Sequence, residues 1–330
     1  MDGSLEKRLG DLYWSNADII SESAPVLNAP RADALVAFNL TGVPARGSAG
    51  GDRYHYTGLR EAFGAEYESY FTPSYASASV RHLDLEGGRA GFMNGFHSGA
   101  EPLTETPEGV LYGSLAAAAV RYPDLIGRYY NRLSGEHGDA LSALNTVFAQ
   151  DGAFVYVPRG VRVARPLLVT FAHYSEDEAL RCFARSLFVF ERDSEVQLVI
   201  DDRSEGDGAA LDCQVRELFV GSGAAADRIG FGLLERAGGH RGADGRIVAV
   251  EGYVEVLKSE VPGKPLALVG DGRRRAFEHA ADGKPVAEFV ETVFVGFHFE
   301  LPAGVLGAHE RRRLALRIGK HPARIFEFAP

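Results

Sequence analysis

The sequence predicts a mainly β fold: strands that either stack as coils of a β-helix or run on as hairpins, behind an α-rich N-terminal region. Three observations carry this. The segments VYVPRGVRVARP, FVFERDSEVQLV and LFVGSGAAADRI each read as strand, tight turn, strand, with turns starting near Pro158, Glu191 and Gly221. Their interval of about 30 residues, with no helical spacer, is the signature of stacked strand units. Helical periodicity is confined to the stretch before Gln150. The charge also shifts along the chain: residues 241–330 hold 14 Lys+Arg and 12 Asp+Glu, leaving 21 and 33 for residues 1–240, so the balances are +2 and −12. That step coincides with the glycine-rich AGGHRGADG and sets a boundary near His240. The expected organisation is an α-rich region with a hairpin over 1–140, a β core over 141–240 and a C-terminal β module over 241–330.

Taken in order, LEKRLGDLYWSNADII places Leu5, Leu9, Leu12 and Tyr13 on one helical face. PRADALVAFNLTG has Pro30 at its head and Gly42 where a left-handed cap would fall. GSAGG at 47–51 interrupts the chain, and RYHYTGLREAFG closes in a short helix. SVRHLDLEGGRAGFMNGF alternates apolar and polar residues around E-G-G, which predicts a hairpin there. From Ser114 to about Gln150 the helical pattern returns, broken at Pro123 and at an S-G-E-H-G loop. Beyond Gln150 the strand units begin. Each unit needs apolar residues to pack on the next, so their regular alternation is core-forming. Stacked coils leave unpaired backbone at their ends, to be covered by a helical cap, a second domain or a partner subunit, which predicts a symmetric or paired assembly such as a homodimer.

Composition narrows the function. At 330 residues, 45% apolar and 24% charged, the chain has enough apolar material for sizeable cores. The start MDGSLEKRLGDLYW has no signal-peptide core, and no run approaches the roughly 18 apolar residues that span a bilayer. The expectation is a cytoplasmic protein with no membrane partner. A net charge of −10 argues against nucleic acid. Cys182 and Cys213 are too few for a disulfide framework or for a thiolate set holding a cluster within one chain.

No motif assigns a catalytic, cofactor-binding or metal residue. The GSGAAA stretch (Gly221, Gly223, Ala226) follows a strand, but Gly230 and Gly232 leave no room for the helix whose N-terminus holds a pyrophosphate, so it reads as a coil turn. Lys264 and Lys284 are each followed by Pro, which excludes a Walker lysine. DDRSEGDGAALD (Asp201, Asp202, Glu205, Asp207, Asp212) fits no calcium loop and reads as a solvated loop between strands. GFHSG carries His97 where a nucleophile elbow needs serine, with Ser98 one place late. The ten histidines show no metal spacing. Arg311 to Arg313 read as a charged strand entrance.

A set of ordered motifs resembles the SufB/SufD family, the scaffold proteins of the SUF iron–sulfur cluster assembly system, and SufD more than SufB. It covers about residues 30–235. GVP at Gly42 is followed by YHYTGL at Tyr54, NGF at Asn94 and GVLYGSLAAA at Gly109. ALNTVFAQDGAFVYVPRGVRVARPLLV at 143–169 resembles the family's A-L-N, D-G and V-P-x-G-V signature, and RSLFVFERDSEVQLV and RELFVGSGAAAD resemble its next coils. His55 stands where the family has Trp. The resemblance implies a right-handed parallel β-helix and a non-enzymatic role through SufB-like and SufC-like partners. By the same resemblance an iron–sulfur cluster is held only transiently, within a complex.

Residues 240–330 depart from that family, so no cluster ligand and no SufC contact is carried to any position. Their short strands, the D-G turns at Asp271 and Asp282 and the G-F-x-F-x-L-P stretch at Gly296–Pro302 resemble small β-sandwich modules attached to bacterial glycosyltransferases. The alternative function is therefore a carbohydrate-related binding protein, with Phe294, Phe297 and Phe299 as its aromatic candidates. A β-helix enzyme acting on polysaccharide ranks last, because the acidic residues gather in one segment.

Overall fold

In the computed structural model, the residues described are 4–45, 59–69, 71–73, 80–137, 139–175, 179–206, 210–221, 225–232, 248–258 and 289–301. Five helices lead: α1 Leu5–Ser15, α2 Ala17–Ser21, α3 Pro25–Asn28, α4 Arg31–Thr41 and α5 Leu59–Gly64. The Ser4 hydroxyl accepts from the Lys7 amide to start α1, and Gly42, at φ 67°, ends α4 where the sequence placed its cap. Leu5 and Leu9 are buried.

Strands β1 Glu68–Ser69, β2 Gly88–Met93, β3 Phe96–Ser98, β4 Leu103–Glu105 and β5 Leu111–Ser114 follow. The hairpin expected at E-G-G lies one turn later. β2 and β3 pair antiparallel across Asn94 and Gly95, whose φ values of 51° and 88° suit the twist of a two-residue hairpin. Four helices come next: α6 Leu115–Arg121, α7 Pro123–Tyr129, α8 Arg132–His137 and α9 Ala140–Phe148. The S-G-E-H stretch expected as loop belongs to α8. Asp139 starts α9 by accepting from the Leu141 and Ser142 amides.

Six strands then alternate between two sheets: β6 Ala153–Val157, β7 Leu167–Ser175, β8 Leu180–Phe190, β9 Glu195–Gly206, β10 Ala210–Gly221 and β11 Ala225–Gly232. β6, β8 and β10 are parallel neighbours in one sheet, and β7, β9 and β11 in the other. The register advances by one repeat per turn: Phe154 pairs with Leu187, Leu180 with Ala210, Leu167 with Leu198 and Glu195 with Ala225. The turns between sheets stack as well. The Gly160 amide donates to Arg192 O and the Glu191 amide to Val157 O, while a side chain at Gly221 would collide with the backbone at Arg192.

The N-terminal strands join these sheets: β2 pairs parallel with β7, β1 parallel with β8, and β5 antiparallel with β6. In residues 241–330 two strands are described, β12 Val248–Lys258 and β13 Phe289–Leu301. They pair antiparallel, and β13 pairs antiparallel with β10, extending that sheet.

The result is a mixed fold of helices on mixed sheets, where composition and spacing pointed to a mainly β one. The helices are needed because one sheet has two apolar faces. Its outer face, with Phe183, Leu187, Val215 and Phe219, packs under the helices with Phe38, Phe63 and Phe148. Phe148 stacks on Phe183 at 4.7 Å. Its inner face, with Ala184, Phe188 and Phe190, packs on Val169, Phe171, Leu198 and Ile200 of the second sheet.

Candidate functional site: a charged interior between the sheets

Alternation along β8 and β10 sends Cys182, Ala184, Ser186 and Phe188 to one face, in register with Asp212, Gln214, Arg216 and Leu218. That face meets the second sheet. Apolar residues fill one end of the space between the sheets and polar ones the other. At the polar end His173 of β7 places Nε2 3.0 Å from Asp212 Oδ2, with both side chains almost completely buried. The Cys182 thiol lies beside the same ring. Burial alone would push His173 down. The Asp212 carboxylate, with Cys182, outweighs that and holds the imidazolium well above its usual range. Burial pushes the Cys182 thiol up, against the opposing pull of His173.

The network continues across the sheets. Gln214 Nε2 donates to Asp212 Oδ2 and, at 3.1 Å, to Asp202 Oδ1. Arg216 binds both oxygens of Asp202 at 2.8 and 2.7 Å and lies 5.3 Å over the Phe171 ring. On the outer face of the second sheet, buried Asp201 accepts from Arg203 Nε at 2.6 Å.

A second network lies under the helices. Arg185 and Glu217, almost completely buried, pair at 2.9 Å. Arg185 also donates to Asn131, Ser134, Asn145 and Thr146. Glu217 accepts the backbone amides of Asn131, Leu133 and Ser134, at the N-terminal end of α8. Asn145 donates to Ala184 O and Cys213 O, tying α9 to two adjacent strands. Asp151 accepts from the His97 and Ala116 amides and the Ser114 hydroxyl. Burial raises its carboxyl even so.

The acidic run is therefore corrected. Asp201 and Asp202 lie in β9 and Asp212 in β10, with Asp201 and Asp212 at 0% exposure: Asp212 meets His173 and Asp202 meets Arg216 from the facing sheet, while Asp201 pairs with Arg203 two residues along its own strand. Glu205 lies in β9, and Asp207 is outside the described residues. Cys182 and Cys213 are free, on opposite faces of one sheet. His97 packs edge-on against Phe92, 5.5 Å away. β11 occupies the place where a dinucleotide loop needs a helix. Phe294, Phe297 and Phe299 pair with Arg216, Cys213 and Leu211, so the three do not share one parity along β13. Arg311 to Arg313, Lys264 and Lys284 lie outside the described residues. Among the described residues no group of three or more His, Cys, Asp or Glu is placed to hold a metal ion, and no helix is long and apolar enough to cross a membrane.

Sequence reasoning missed His173, Arg185, Arg216 and Glu217. The signal was available in part: RCFARSL and LDCQVRE, which pair residue for residue, carry charges inside strands that both run on into an apolar L-F-V. What this arrangement does chemically is hold opposite charges and a protonated imidazole out of water, joining consecutive repeats.

Parallel strands that alternate between two facing sheets, with paired charges between and beneath them, are the class of fold that these residues define. The chain belongs to the SufBD family: residues 3–169 match the family model described as the SufBD protein N-terminal region. It is 35% identical over 130 residues to the "Iron-sulfur cluster assembly SufBD family protein ABCI9" of Arabidopsis thaliana, covering 38% of this chain and 26% of that protein. To the "Iron-sulfur cluster assembly protein SufD" of Bacillus subtilis it is 31% identical over 151 residues, 42% of this chain and 34% of that protein. The matches thus span about a quarter to a third of these two relatives.

Proposed function

We propose that the chain is a SufD-like scaffold of iron–sulfur cluster assembly, working without catalysis through contacts with SufB-like and SufC-like proteins. The observation that carries this reading is the family match over 3–169, together with relatives named for iron–sulfur cluster assembly. The strand order supports the architecture that goes with it, a right-handed parallel β-helix, in that repeats of about 30 residues alternate between two parallel-stranded sheets. The interior charges support the non-catalytic part, since His173, Cys182 and Asp212 are buried among their own partners. A cluster is then cargo, held transiently within a complex. The protein works in the cytoplasm, and a subunit covers the open end of the stack.

Co-expression of the full chain with SufB-like and SufC-like proteins from the same source, then affinity capture and size determination, tests this. A stable complex of defined stoichiometry is expected. Elution of the chain alone or as a homodimer, with neither partner, would overturn the assignment and leave the fold intact.

A further inference from the structure

Between α1, α5 and β8 lies a cavity of about 210 Å³, walled by Leu9, Leu12 and Phe63 on its apolar side and by Arg8, Tyr67 and Arg181 on its polar side. Arg181 is 8% exposed. Its Nη2 reaches the Phe63 and Ala65 carbonyls only at 3.4 and 3.5 Å, its plane lies 5.0 Å over the Tyr67 ring, and its Nε has no hydrogen-bond partner. The Tyr67 hydroxyl in the same wall is also buried and unpartnered.

The other buried arginines of the described residues are provided for. Arg185 has Glu217, Arg216 has Asp202, and Arg31 caps the carbonyls of Thr146, Val147 and Ala149 at 2.7–3.1 Å, at the negative end of α9. Arg181 has no such counterpart. Arg8, whose Nη2 binds the Gly64 carbonyl at 3.1 Å, brings a second positive charge to the cavity. Glu66 is also at the cavity but is exposed, and among the described residues it pairs with neither guanidinium. A guanidinium removed from water without a counter-charge is costly, and one that faces a cavity beside a free hydroxyl donor is arranged for an acceptor from outside. Burial pulls Arg181 down to about 10 and pushes Tyr67 up to about 12, so at neutral pH both remain donors.

We propose that this cavity is a binding site for a small anion of the carboxylate or phosphate class, held by Arg181 with Arg8 and the Tyr67 hydroxyl. The cavity admits a ligand of only a few heavy atoms, with its anionic end against Arg181 and any apolar remainder against Leu9, Leu12 and Phe63. The site is independent of any role in cluster assembly.

The test is the melting temperature of the purified full chain in rising inorganic phosphate and, separately, succinate, each against sodium chloride at matched ionic strength. A ligand that binds only the folded chain raises the midpoint in a saturable way. That rise is expected with at least one probe and not with chloride. Arg181→Met removes it, and Arg8→Gln or Tyr67→Phe weakens the apparent affinity about tenfold, the loss of one charge-assisted hydrogen bond. Without anion, Arg181→Met melts at or above the parent chain, because an unpaired buried charge has gone. A rise matched by chloride, a rise that persists in Arg181→Met, or none with either probe overturns the proposal. If Arg181→Met does not fold, an unchanged anion response in both other variants overturns it as well.

Discussion

At the scale of single residues, the most consequential side chains are those that make an interior of opposite charges tolerable. Arg185 and Glu217 sit under the helices with three backbone amides and several side-chain oxygens around them. Replacing the pair by apolar residues could cost little, but removing one member strands the other in a low-dielectric core. Glu217→Gln is therefore expected to destabilise the chain by about 3–5 kcal/mol, read as a lower denaturant midpoint with an unchanged slope. A loss within about 0.5 kcal/mol would mean that water reaches Arg185. These residues were hardest to read from the sequence, because a charged residue in a strand is ordinarily on its solvated side. DDRSEGDGAALD looked like a loop for that reason. Only the register, which sets Asp212 beside Cys182 and opposite His173, reveals the partners.

Elements were more legible where local chemistry alone decides them. Pro and Gly at the ends of α4, the apolar stripe of α1 and the turns near Pro158, Glu191 and Gly221 needed no tertiary information. The β2–β3 hairpin was misplaced because E-G-G and N-G both carry turn residues, and pairing of β2 with β7 decides between them. The D-G pair at Asp151 and Gly152 shows what a motif means physically. Gly152 has φ 151°, and a Cβ there would run into the Arg185 carbonyl, while Asp151 holds the start of α6 and the β3 backbone. Gly152→Ala is expected to cost at least about 1 kcal/mol, by strain plus displacement of β8. Asp139→Ala, which removes the side-chain N-cap of α9, is expected to cost about 1 kcal/mol. A loss well under about 1 kcal/mol for Gly152→Ala, measured by thermal melts, would show that the contact at Gly152 relaxes freely.

For the whole molecule, the buried titratable groups set a pH dependence whose sign can be worked out. His173 is held above its usual range, so its contribution is complete below about pH 6.5 and is lost as pH rises through the folded value. The Cys182 and Cys213 thiols are raised by burial, so above about pH 8.5 the unfolded chain releases protons that the folded chain retains, and stability falls further. Burial lowers His82 and His97, so their contribution is present above about pH 6.5 and is lost as pH falls. Stability is therefore expected to peak near pH 6.5 and to decline toward pH 9 in denaturant melts. Asp212→Asn is expected to be less stable throughout and flatter above neutrality. A parent chain that gains stability between pH 7 and 9 would contradict the assignment of the imidazolium.

The stacked turns have a last consequence, for how such a chain can change length. Each strand presents alternate residues to opposite faces, so one extra residue within a strand would exchange its two faces and move a charge such as Asp212 into the layer under the helices. A whole extra repeat of about 30 residues brings its own turn and returns every face to its place. Insertion and loss are thus tolerated in steps of one repeat, and the molecule grows along its stack as a column grows by courses.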